Sequence, residues 1–161
     1  MENESVERFF LRYAFPCTYV LKQRGDVDEA TFDEIEDAAI NGAAVSRELL
    51  EQTYPNALRR MKIVAGELGR PLWSKDVVST YFRQRHNDFI EEGDGGYKDA
   101  PQALKDFCRV EKAVVAEARE GFLVVRYGGE NRIRTVSSAF VPAAKKGDRV
   151  SIHHGYAAEV L

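Results

Sequence analysis

Cys108 and His153 are the residues of this chain whose types could do soft metal chemistry, because a thiolate binds low-spin iron and a neutral imidazole can ligate it, although Cys108 equally suits a packed small hydrophobe and His153 a hydrogen bond to a neighbouring loop. The two cysteines are too few for a disulfide framework and read as free thiols. Lys105, Arg109 and Lys112 flank Cys108 and would favour its thiolate. Cys17 follows Phe15-Pro16 in apolar company and reads as a packed structural thiol, although it is the only other soft ligand. His153 and His154 are consecutive in a strand-like run, so a period of two predicts opposite faces, no shared metal and an exposed His154. No acid and base pair, nucleophile elbow, phosphate loop or dinucleotide fingerprint occurs, and a non-catalytic role is expected. Gly128-Gly129 and Gly155 read as turn positions.

The elements that must position these residues change character along the chain. Helical spacing of Val6, Phe9, Phe10 and Tyr13 predicts an amphipathic first helix that Pro16 stops, followed by a short second helix over 16–24 closed by Gly25. Acidic residues from Asp28 onward start a third, with Asn41-Gly42 as an interruption. Pro55 opens a fourth that Gly69 ends, and Ser74 caps a fifth whose Arg83, Arg85 and His86 are expected near the outside. The run Glu91 to Pro101, rich in glycine and charge, reads as a linker. Beyond it the period falls to two in five short runs, Ala113–Ala118, Phe122–Tyr127, Ile133–Ser137, Arg149–His153 and Ala157–Leu161, joined by Glu120-Gly121, Gly128-Gly129-Glu130-Asn131 and Lys145-Lys146-Gly147-Asp148. The expected fold class is α+β: a helical domain over 1–92, a linker over 93–105, and a small five-stranded OB-like β-barrel over 106–161.

Charge divides with the fold. Residues 1–100 carry 13 Lys and Arg against 19 Asp and Glu, and residues 101–161 carry 10 against 7, an excess too small for a strongly phosphate-binding face. No apolar run is long enough to cross a bilayer, and the acidic start MENESVERFF lacks the basic region of a signal peptide, which predicts a cytoplasmic protein.

The run from Val141-Pro142 through Gly147-Asp148 and His153-His154-Gly155-Tyr156-Ala157 to Glu159-Val160 resembles the closing signature of the HypC/HupF family of hydrogenase maturation chaperones. Tyr127-Gly128-Gly129 resembles that family's aromatic-Gly-Gly hairpin, and an ungapped match sets Cys108 on its essential cysteine and His153 on its signature histidine. The likeness covers about residues 107–161; the family's cysteine follows the initiator methionine, whereas Cys108 is internal. What the resemblance implies is an OB-like barrel that carries an iron-dicyano-carbonyl unit, with Cys108 and His153 as metal ligands, and a maturation factor or the large subunit of nickel-iron hydrogenase as protein partner. Two other readings use the same residues. One is an OB-type nucleic-acid module with Phe122, Tyr127, Arg126, Arg132 and Arg134 as its surface. The other is a protein-interaction scaffold without metal, dimeric through the aromatic stripe of the first helix.

Overall fold

The computed structural model describes residues 3–129 and 131–161 and divides into two compact units, Met1–Asp99 and Ala100–Leu161. The first is helical and the second carries a closed five-stranded barrel, so the fold is α+β as the pattern change predicts.

Within the first unit, α1 (Val6–Gln23), α2 (Glu29–Glu36), α3 (Arg47–Thr53) and α5 (Lys75–Thr80) each start on a side chain that accepts from the third backbone N–H beyond it: Ser5, Asp28, Ser46 and Ser74. Pro55 opens α4 (Pro55–Leu68), and Gly69, at φ +61°, ends it in the left-handed conformation that glycine tolerates. Short π turns follow α2 at Asp37–Asn41 and α5 at Tyr81–Arg85, and α6 (His86–Glu91) completes the unit's helices.

Two expectations are corrected here. Pro16 does not stop the first helix, which continues to Gln23, because Pro16 itself and Phe15 and Thr18 on either side of it are buried; the burial outweighs one lost backbone hydrogen bond. His86 is not near the outside. It is 3% exposed and its ring packs on Tyr81 and Phe82. The core around it is aromatic: Phe82 stacks on Tyr13 at 4.9 Å, and Phe10 meets Tyr54, Trp73 and Phe82.

The predicted linker is structured in part. Asp94 accepts from Arg59 at 2.5 Å and Arg60 at 2.6 Å, a 3-10 turn covers Gly95–Tyr97, and α7 (Gln102–Cys108) leads into the barrel. The strands are β1 (Glu111–Arg119), β2 (Phe122–Tyr127), β3 (Arg132–Ser137), β4 (Arg149–His153) and β5 (Tyr156–Val160), in the closed order β1-β2-β3-β5-β4. Neighbours are antiparallel except β3 and β5, which pair in parallel at a single position, Ser137 with Tyr156. Alternate side chains point inward: Ala113, Val115, Leu123, Val125, Val136, Val150, Ile152 and Ala157 form the barrel core. Fully burying one such valine, leucine or isoleucine is worth about 1.5–3 kcal/mol. Gly147, at φ +92°, makes the turn before β4, where Asp148 N–H donates to the Lys145 carbonyl. Of the turn Gly128-Gly129-Glu130-Asn131, Glu130 lies outside the described residues.

Candidate metal centre

β4 ends on His153, whose side chain is fully buried. A register shift between Ser151 and Ile152 and the two-residue corner His154-Gly155 bring β5 back antiparallel, with His153 opposite Tyr156. His154 sits at φ +50°, and that left-handed turn removes the alternation expected of consecutive strand residues. Its imidazole lies against that of His153, ring centroids 4.8 Å apart and edge to face, and their ligand nitrogens are within 4.8 Å of each other. The expectation that the two histidines point apart, with His154 exposed, is therefore corrected: His154 is 4% exposed.

Cys108 is the last residue of α7 and is buried. Glu111 pairs with Ile152, so the segment from Cys108 to Glu111 enters the barrel at the end where β4 reaches His153. Cys108 and His153 thus share one end of the barrel. Within the barrel unit the ligand atoms that converge are those of His153 and His154, and among the described residues Cys108 does not complete a three-ligand cluster with them. Phe107, next to Cys108, places its ring edge to face on His154 at 4.7 Å. Cys17 lies on α1 and is partly buried.

Sequence reasoning missed the residue that organises this corner. Arg134 of β3 donates from Nη1 to the His154 carbonyl and from Nη2 to the Tyr127 hydroxyl, both at 3.2 Å. Its guanidinium also lies over Tyr127, 4.7 Å from the ring centroid, and over Phe107, at 5.1 Å. The nucleic-acid reading groups Arg134 and Tyr127 with Phe122, Arg126 and Arg132; in the barrel Arg134 donates to the Tyr127 hydroxyl, and Phe122 stands at the opposite end of β2 from Tyr127. The only signal that could have found the cluster is the period-two register, which sets Tyr127 against Arg132 and Val125 against Arg134.

The electrostatics favour the neutral form of His154. Burial, then the neighbouring His153, then the Arg134 cation push the His154 imidazole down to about 3, so it is uncharged near neutrality. Two imidazoles whose ligand atoms lie within 4.8 Å of each other are borderline donors, of the kind that suits a transition ion and suits the hard cations calcium and magnesium poorly.

The chain matches no protein-family model, no curated protein and no solved structure.

Proposed function

We propose that this chain is a non-catalytic accessory protein of HypC-like type, in which the barrel takes up an iron centre at Cys108 and His153 and passes it to a protein partner in nickel-iron hydrogenase maturation. The observation that carries the reading is the pairing of the His153 and His154 imidazoles at the end of β4, beside the point where the Cys108 segment enters the barrel. In this reading Cys108 supplies the thiolate and His153 the imidazole, with His154 at its side. The iron unit is cargo. The barrel binds it and shields it from water, and the helical unit offers a docking surface for the partner.

Anaerobic purification with candidate hydrogenase maturation factors, followed by metal analysis and infrared spectroscopy, tests the proposal. Iron with cyanide and carbon monoxide bands is expected in the wild type and is expected to vanish in Cys108→Ser and in His153→Ala. Wild-type protein without metal and without partners, or full iron occupancy in Cys108→Ser, overturns it.

A further inference from the structure

The same corner holds a fixed positive charge that the ligand set does not explain. Arg134 is partly buried, pinned by hydrogen bonds to the His154 carbonyl and the Tyr127 hydroxyl, and covered by the Phe107 and Tyr127 rings. It has no carboxylate partner among the described residues. Arginine stays charged at any pH the protein meets, and its fork has five N–H groups, of which two are spent on these bonds. Bonded to the backbone of His154, the guanidinium cannot leave without loosening the β4–β5 corner, so its charge is fixed beside that corner.

A bare divalent ion entering this corner meets a like charge held beside the imidazoles. A metal that arrives wrapped in anionic ligands meets an opposite charge and spare N–H donors able to bond those ligands. We infer that Arg134 is the specificity-determining residue of the barrel corner, selecting a metal complex of net negative charge over a bare divalent cation. This rests on the reading that the corner takes up metal. Arg134 therefore acts twice, as a positioning residue for the His153-His154 corner through its fork and as a charge filter through its guanidinium.

The test compares one metal in two charge states, nickel(II) ion and tetracyanonickelate(II), by equilibrium dialysis against the full chain with metal analysis of the protein compartment. Removing the charge in Arg134→Met, whose thioether chain keeps an apolar contact for Phe107, is expected to weaken tetracyanonickelate and strengthen bare nickel, each by about tenfold or more for charges a few ångströms apart in a partly buried site. Arg134→Lys, which keeps the charge and loses the fork, is expected to keep the wild-type preference. Arg126→Met, on the exposed outer face of β2, is expected to change neither. Opposite shifts for the two probes cannot come from a corner that has merely loosened, since loosening weakens both. If Arg134→Met weakens both probes alike or alters neither, the inference is overturned and the metal-handling reading survives; if wild-type protein takes up neither probe, both fall.

Discussion

His154 shows how much one backbone angle decides. A non-glycine residue at φ +50° is held there against its own preference, at a cost of about 1–3 kcal/mol unless its side chain and its neighbours over-determine it. Here the Phe107 ring, the His153 ring and the Arg134 fork do so. Asparagine visits this region readily, and a β-branched residue does not. His154→Val is therefore expected to destabilise the barrel by about 2 kcal/mol more than His154→Asn, measured by urea unfolding of the two variants. The histidines that meet here could be named from residue type. Their mutual orientation could not be read, because alternation holds inside a strand and fails at a left-handed corner. Arg134 was legible as a residue and not as a role, since its partners come from α7, β2 and the β4–β5 corner, far apart in sequence.

At the scale of elements, strands and turns were the legible part. Strand periodicity and Gly-Asp or Gly-Gly turns are local signals, and β2 and β4 occupy the predicted spans. Pro16 sends an equally local signal to stop a helix, yet α1 continues because its burial is decided by residues that arrive later in the chain. The charged run after Glu91 misleads in a related way. Asp94 looks like solvated linker, but its carboxylate receives Arg59 and the nearly buried Arg60, whose guanidinium also covers Tyr97. The Arg59 hydrogen bond first, and then Arg60, hold Asp94 below its ordinary value of 3.8 despite partial burial. A lowered carboxyl contributes stability above its unfolded value and loses it as pH falls through the folded one. Asp94→Asn is thus expected to cost the helical unit about 2 kcal/mol at pH 7 and progressively less as the pH falls below 3.8, followed by thermal unfolding of wild type and variant across that range.

The whole molecule is two units with opposite charge balance, and no helix among the described residues is long and apolar enough to cross a membrane. That division was visible in the sequence because the period of the apolar pattern, the turn chemistry and the sign of the charge all change over the same stretch. Circular closure was less visible, since nothing in β3 or β5 alone announces that they meet. They do so at one paired position, reinforced by the Ser137 N–H donating to the Gly155 carbonyl at 2.7 Å. This seam is where the ring of strands has least to hold it, and Gly155 belongs to the very corner that carries His154. Breathing of the barrel should begin there, so that its clasp is also the doorway to the histidines. Hydrogen exchange should find the Ser137 and Tyr156 amides among the fastest of the strand amides, and, on the proposal that the corner takes up metal, slowed tenfold or more when metal is added; equal rates with and without metal would separate the clasp from the doorway.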